Sequence, residues 1–286
     1  MTARYLERLA ARSARVGSVL CVGLDPDPSA LPPGFDADVS GVERFCRLVL
    51  EAAVPYAAAV KPNLAFFEAL GPDGMRALER LRAAIPGDVP VVADAKRGDI
   101  GSTSTRHAEA LFGRLDADAV TVSPYLGSEA ISALIDRPDR FAYVLCRTSN
   151  AGAGELQDLV VGPDDAVGAP PEPLYLRVAR RAAAWGPGGT VGLVVGATAP
   201  AELAAVRAVA PGLAFLVPGV GAQGGDEGAA LRHGPAVAPP AGDRPGGGLL
   251  VNVTRGITAA AAAAADPGEA VAASAADWAG RLPVLE

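Results

Sequence analysis

The stretch VVADAKRGDIGST, residues 91–103, begins as an apolar strand and ends as a polar turn. Within six residues Asp94, Lys96 and Asp99 place three charges at the point where the strand ends. Burying such groups unpaired is costly, so they either neutralise one another in a structural ion-pair cluster or meet a ligand. A lysine flanked by carboxylates has the chemistry to donate a proton and to stabilise a developing negative charge.

The elements that must position these charges repeat along the whole chain. Short Val- and Leu-rich runs alternate with longer Ala-, Leu- and Arg-rich helical patterns, and continuous apolar runs are typical of parallel strands covered on both faces. Eight such units predict an α/β fold, a single (β/α)8 TIM barrel over residues 1–286, with an extra N-terminal helix that carries Tyr5 and Leu9. The predicted strands are 18–25, 57–63, 89–96, 117–125, 141–149, 190–198, 213–221 and 248–256.

Two long segments interrupt this alternation, residues 149–173 after the fifth strand and 222–248 after the seventh. Because both follow the carboxyl ends of strands, we expect active-site loops there. We interpret the Pro- and Gly-rich part, 235–248, as a surface insertion, and the alanine run 259–265 as the start of the last helix.

Polar side chains end most of the predicted strands. Asp25 ends the first and Lys61 the second, and alternation predicts that Asp94 and Lys96 share one side of the third. Each of these charged residues, taken alone, has an ordinary structural interpretation as a turn residue or a solvated strand end. Because the predicted barrel brings them together at one rim, a ligand site is favoured. The loops GVGAQGG and TRG, after strands seven and eight, predict a phosphate site that includes Arg255.

Composition excludes several classes of protein. The net charge of −7 without a basic run argues against nucleic acid and anionic membrane as partners. The three cysteines lack a CxxC spacing and there are only two histidines, so we expect neither a zinc site nor a His-dependent triad. The N-terminal segment does not read as a signal or transit peptide, which predicts a cytoplasmic, reduced protein.

The motifs DAKRGD, RTSN and PGVGAQGGD together resemble the orotidine 5′-phosphate decarboxylase family, in its longer bacterial form, over nearly the whole chain. The resemblance implies decarboxylation of orotidine 5′-phosphate to uridine 5′-phosphate, the last step of de novo pyrimidine biosynthesis, without a metal or other cofactor. It assigns catalysis to Lys96, Asp94, Lys61 and Asp99. It assigns substrate binding to Asp25, Thr103, Ser149, Gln223 and Arg255.

The resemblance also implies a role for each catalytic group. Lys96 would stabilise the carbanion left by CO₂ and then protonate it, with Asp94 beside the departing carboxylate. Lys61 would hold Asp94 and a ribose hydroxyl, and Asp99 would balance Lys96. In this family Asp99 and Thr103 reach into the partner's site, which implies a homodimer with shared active sites.

Two alternatives remain open from the residues. One is another phosphate-binding barrel enzyme, such as a sugar-phosphate decarboxylase with a metal-bound enediolate or a phosphosugar isomerase. Lys96 argues against a metal among these carboxylates, because magnesium prefers several oxygen ligands. The other alternative is a non-catalytic sensor of a phosphate ligand, and turnover of orotidine 5′-phosphate after chelation discriminates among all three.

Overall fold

A computed structural model describes residues 4–285 of the chain. In chain order its strands are β1 (Leu20–Leu24), β2 (Ala59–Pro62), β3 (Val92–Arg97), β4 (Ala119–Val122), β5 (Phe141–Arg147), β6 (Val160–Val161), β7 (Glu172–Pro173), β8 (Val191–Val195), β9 (Ala214–Val217) and β10 (Leu250–Val253). Its α-helices are α1 (Tyr5–Val16), α2 (Val39–Ala53), α3 (Leu64–Glu68), α4 (Gly71–Ala84), α5 (Gly101–Ala108), α6 (Ser132–Ile135), α7 (Gly154–Gln157), α8 (Leu174–Ala183), α9 (Pro200–Val209), α10 (Glu227–His233), α11 (Arg255–Thr258) and α12 (Pro267–Arg281). Within residues 4–285 no helix is both long enough and apolar enough to cross a membrane.

Eight of the strands form one parallel sheet that closes on itself. Its order is β2-β1-β10-β9-β8-β5-β4-β3, with parallel pairing throughout. The two outer strands meet through the parallel bridges Val60–Val91 and Asn63–Asp94, and the Val60 N–H donates to the Pro90 carbonyl at 3.0 Å. The predicted (β/α)8 barrel is therefore confirmed, and all eight predicted strands are present.

The strands are apolar on both faces because both faces are covered. Every residue of β1, β4, β8, β9 and β10 is buried, as expected when helices pack outside a filled barrel. Helix α2 illustrates the outer layer. The Asp38 carboxylate caps its start by accepting the Gly41 N–H at 2.8 Å, and Val42, Phe45 and Val49 form its buried face.

The predicted N-terminal helix is present as α1, and it covers the amino-terminal end of the barrel. Tyr5, Leu6 and Leu9 pack with side chains from the barrel interior, including Phe141 and Tyr143. The rings of Tyr5 and Phe141 stack at 4.7 Å, and the Tyr5 and Tyr143 hydroxyls are 3.1 Å apart. Because this end of the barrel is covered, a substrate has access from the carboxyl ends of the strands.

The segment after β5 is an ordered ribbon. Strands β6 and β7 pair antiparallel within the predicted loop 149–173. The Glu172 carboxylate accepts from Arg177 Nε at 3.1 Å, and Asp164 accepts from Arg181 Nε at 2.7 Å. These ion pairs hold the ribbon against helix α8.

The interpretation of 235–248 as a surface insertion is wrong. Ala236 and Ala241 are buried with the side chains of helix α1 and the amino ends of the strands. Gly248 has φ of +66°, and a Cβ there would lie 2.7 Å from the Cβ of Ala214. This segment needs small and glycine residues because it packs beneath the barrel.

The alanine run does not begin the last helix. Helix α11 ends at Thr258, and the chain continues through a 3-10 turn over Ala259–Ala261. The last helix, α12, begins at Pro267, where the Asp266 carboxylate accepts the N–H groups of Gly268 and Glu269 at 2.9 and 3.0 Å. A capping carboxylate followed by proline therefore decides the start of the helix, in preference to alanine propensity.

Candidate active site

The structure brings Lys61, Asp94 and Lys96 together at the carboxyl ends of β2 and β3. Lys61 Nζ donates to Asp94 Oδ2 at 2.9 Å, and Lys96 Nζ donates to Asp94 Oδ1 at 2.7 Å. The Lys61 side chain is 5% exposed, whereas that of Lys96 is 52% exposed. Asp94 thus joins a buried ammonium to one that is open to the mouth of the barrel.

The environment of this trio keeps its buried pair ionised. Burial alone lowers the pKa of Lys61, but the charges of Asp94 and Asp25 outweigh it, so the pKa lies above its ordinary value. Burial alone raises the pKa of Asp94, but Lys61 and Lys96 outweigh it and hold this pKa well below its ordinary value. At neutral pH Lys61 and Asp94 are therefore a charged pair.

Lys61 and Lys96 are the only lysines in the chain, since every other residue of the Lys and Arg total is arginine. Arginine stays protonated at any pH that a protein tolerates, whereas a lysine ammonium can give up a proton. The two side chains of the chain with an amine able to transfer a proton therefore share one carboxylate.

Asp94 and Lys96 meet through a bulge and not through the regular alternation predicted from the sequence. Ala93 pairs with Val120 and Arg97 with Val122, and the register shifts between them. Lys96 has φ of +49°, in the left-handed region that residues with a Cβ rarely adopt. The predicted proximity is correct, but a distorted strand end produces it.

Asp25 and Arg255 line one cavity because β1 and β10 are neighbours in the sheet. The cavity has a volume of about 530 Å³ and an apolar wall that includes Leu31, Phe45 and Val49. Oδ1 of Asp25 is buried and has no hydrogen-bond partner, and within residues 4–285 the Arg255 guanidinium forms no ion pair with an acidic side chain. An acceptor and a cation are therefore both available to a ligand.

Ser149 follows β5 and Gln223 follows β9, and both side chains lie around Gly219. A Cβ at Gly219 would lie 3.2 Å from the Ser149 Cβ and 3.5 Å from Gln223 Oε1. Gly219 has φ of +99°, which glycine adopts without strain, so the close approach of both side chains depends on it. The predicted phosphate and pyrimidine contacts are thus near each other.

Asp99 and Thr103 lie apart from the trio within one chain. The Asp99 carboxylate accepts the Ile100 N–H at 2.7 Å, and Thr103 is exposed in the first turn of α5. It is Asp94 that pairs with Lys96 in the chain described here. It remains a prediction that the Asp99 carboxylate balances the charge of Lys96, and this requires Asp99 from a second subunit.

Thr121 is the residue of this site that the sequence reasoning missed. It is buried on β4, and its hydroxyl donates to Asp94 Oδ1 at 2.8 Å. The only sequence signal for this role is a hydroxyl in the otherwise apolar strand AVTV. The signal is weak, because Thr is common in strands for the shape of its side chain alone.

The remaining reactive side chains do not form a competing site. Burial raises the pKa of the Cys21 and Cys46 thiols to about 12, so neither is a thiolate at neutral pH. Across residues 4–285 there is no cluster of three His, Cys, Asp or Glu side chains suited to a metal ion. The lysine and aspartate trio is therefore the candidate reaction centre.

Comparison with known proteins agrees with this geometry. The sequence model of the orotidine 5′-phosphate decarboxylase / HUMPS family matches residues 18–273. The orotidine 5′-phosphate decarboxylase of Roseiflexus castenholzii is 48% identical over 252 residues, which are 88% of this chain and 87% of that protein. The corresponding protein of Thermomicrobium roseum is 48% identical over 263 residues, 91% of this chain and 88% of the relative.

Solved structures agree in both fold and sequence. The Leishmania donovani OMP decarboxylase is 41% identical with a TM-score of 0.79, and the match covers 97% of this chain and 98% of that one. A Toxoplasma gondii structure described as an orotidine-monophosphate decarboxylase is 38% identical with a TM-score of 0.82, covering 96% of this chain and 93% of that one. The chain described here belongs to the orotidine 5′-phosphate decarboxylase / HUMPS family.

Proposed function

We propose that this protein decarboxylates orotidine 5′-phosphate to uridine 5′-phosphate in pyrimidine biosynthesis, without a cofactor, and that residues 1–286 form one catalytic domain. The observation that carries the proposal is the Lys61–Asp94–Lys96 trio at the open mouth of the barrel. Membership of the family and 48% identity to named orotidine 5′-phosphate decarboxylases support it.

The reaction needs a cation and a proton at one ring carbon. When the bond to the carboxylate breaks, CO₂ leaves and the electron pair stays in an sp² orbital that the ring cannot delocalise. Lys96 supplies both requirements, since its half-exposed ammonium stabilises the carbanion and then transfers a proton to that carbon. The neutral amine regains its proton from water.

Asp94 and Lys61 prepare this step. Asp94 orients the Lys96 ammonium and lies beside the departing carboxylate, while Lys61 fixes Asp94 from the buried side. In this proposal Lys61 also contacts a ribose hydroxyl of the substrate. The unpartnered Oδ1 of Asp25 is a free acceptor for a hydroxyl on the same sugar.

The non-reacting phosphate anchors the substrate. Arg255 supplies a guanidinium that is not neutralised by an acidic side chain of residues 4–285, and Gln223 supplies an amide donor. Ser149, close to Gln223, contacts the pyrimidine. Because the phosphate is remote from the reacting carbon, its binding energy can organise the loops that complete the site.

We further propose a homodimer with shared active sites. Ile100 follows Asp99 directly, and Tyr125 and Leu126 lie just after Ser123, whose N–H donates to the Arg97 carbonyl at 2.8 Å. All three side chains are apolar and exposed, and Tyr125 is 84% exposed. Covering them with a second copy would remove apolar surface from water and would direct Asp99 and Thr103 toward the partner. The three free, buried cysteines fit the reducing cytoplasm, where we place the reaction.

Turnover of orotidine 5′-phosphate by the purified protein tests the function. After treatment with a chelator, we expect undiminished formation of uridine 5′-phosphate. Loss of turnover that magnesium restores would contradict the cofactor-free mechanism. No turnover of the nucleotide, together with conversion of a sugar phosphate, would favour another phosphate-binding barrel enzyme.

Subunit mixing tests the shared site. Inactive Lys96→Ala and inactive Asp99→Ala subunits, once exchanged, would form about half mixed dimers, each with one intact site, and so regain roughly a quarter of wild-type activity. No recovery after mass measurement has shown subunit exchange would place Asp99 in its own chain's site.

A further inference from the structure

The irregular pairing of β3 with β4 leaves backbone donors that one side chain takes up. Between the pairs Ala93–Val120 and Arg97–Val122, three residues of β3 face Thr121 alone on β4. The N–H groups in this stretch cannot all find carbonyl partners on β4. Those of Ala95 and Lys96 donate instead to Thr121 Oγ1, at 3.0 and 2.9 Å.

The same hydroxyl contacts the reacting groups. It donates its own proton to Asp94 Oδ1 at 2.8 Å, and this oxygen also accepts Lys96 Nζ at 2.7 Å. With two hydrogen bonds accepted and one donated, the hydroxyl is saturated. Thr121 is 1% exposed and β-branched, so its side chain is held in one orientation.

We propose that Thr121 is a positioning residue for the decarboxylation: its hydroxyl holds the bulged end of β3 so that Asp94 and Lys96 face each other at the mouth of the barrel. The left-handed backbone of Lys96 is unfavourable for a residue with a Cβ, and the hydrogen bond to its N–H helps to maintain it. The proposal rests on the roles proposed above for Asp94 and Lys96.

Thr121→Val tests this role because it keeps the shape of the side chain and removes the hydroxyl. Loss of a hydrogen bond to a charged group predicts a fall in kcat of about 10- to 100-fold with KM changed less than about threefold. The loss should fall on kcat and not on KM, because the hydroxyl positions groups that act in the reaction. A residue that only supported the fold would lower the free energy of unfolding and leave kcat of the folded variant unchanged.

Two further variants complete the experiment. Thr121→Ser keeps the hydroxyl and should restore kcat to within about threefold of wild type. If Thr121→Val does not fold, Thr121→Cys keeps the size with a weaker hydrogen-bonding group and must show the same loss relative to Thr121→Ser. Thr190→Val is the matched control, because Thr190 is also buried but its hydroxyl has no partner; it should leave kcat unchanged.

The outcomes separate this inference from the proposed function. Wild-type protein that does not convert orotidine 5′-phosphate would contradict the proposed function. Wild-type turnover together with a folded Thr121→Val variant that retains kcat within threefold would overturn the role of Thr121 alone.

Discussion

Replacing Asp94 by Asn should convert Lys61 from a stabilising to a destabilising charge. The Lys61 side chain is 5% exposed and lies 2.9 Å from Asp94, whose side chain is 12% exposed. Removing one partner of a buried pair costs about 3–5 kcal/mol. Because the Asp25 charge also acts on Lys61, we expect a loss of about 2–4 kcal/mol in the free energy of unfolding at pH 7.

The pH dependence of this loss has a definite sign. In the wild type the raised pKa of Lys61 gives stability that is fully present below the unfolded value of about 10.4 and is lost as pH rises through the folded pKa. In Asp94→Asn the dominant counter-charge is gone and burial lowers this pKa, so the variant gains stability as Lys61 deprotonates. The deficit should therefore shrink by at least about half between pH 7 and pH 10.

Two measurements check this prediction. Denaturant unfolding of both proteins at pH 7 and pH 10 gives the deficit. Because the chain has two lysines, NMR of protein labelled with [13C]lysine gives two sets of side-chain signals, and the pKa of Lys61 can be read directly. Asp73→Asn, which breaks the exposed pair of Asp73 with Arg76, is the control and should cost less than about 0.5 kcal/mol. A deficit below about 1 kcal/mol at pH 7, or a Lys61 pKa that does not fall, would refute the reasoning.

Three other changes probe the remaining parts of the molecule. Arg255→Ala should lower kcat/KM for the nucleotide about 100-fold and should lower kcat/KM for a substrate without the phosphate much less. Equal losses with the two substrates would place Arg255 outside the phosphate site. Ile100→Asp should convert the proposed dimer to monomers in sedimentation and abolish activity, whereas Leu159→Asp, on the ribbon, should do neither; a wild-type protein that sediments as a monomer would contradict the proposed dimer. Tyr5→Phe leaves the Tyr143 hydroxyl without its partner, so it should cost about 1–2 kcal/mol in unfolding without changing kcat; a lower kcat would contradict a purely structural role for this end of the barrel.

The barrel could be predicted because its signals are local. Continuous apolar runs such as VLCVGL and VGLVV require cover on both faces, and their number and order leave few folds. The rim residues follow from the same logic, since parallel strands bring Asp25, Lys61 and Asp94 to one end. Their meeting in space needed no knowledge of side-chain packing.

The features that escaped prediction depend on contacts between distant parts of the chain. The bulge at Lys96 can be recognised only when β3 is paired with β4. That pairing also brings the Thr121 hydroxyl to the backbone of Ala95 and Lys96 and to the Asp94 carboxylate. Residues 235–248 read as a loop because glycine and proline are common in loops, but they pack under the barrel against helix α1. The position of Asp99 relative to Lys96 depends on a second subunit and is still a prediction.

The central claim is that Lys96 stabilises the carbanion and supplies its proton, and kcat/KM of Lys96→Ala with orotidine 5′-phosphate tests it most directly. We expect a loss of at least about 10⁴-fold, with binding of uridine 5′-phosphate retained and the fold intact. Lys96→Arg keeps the charge but cannot give up a proton, so it should remain at least about 100-fold impaired. Activity of Lys96→Ala within tenfold of wild type, with uridine 5′-phosphate as the product, would contradict the claim.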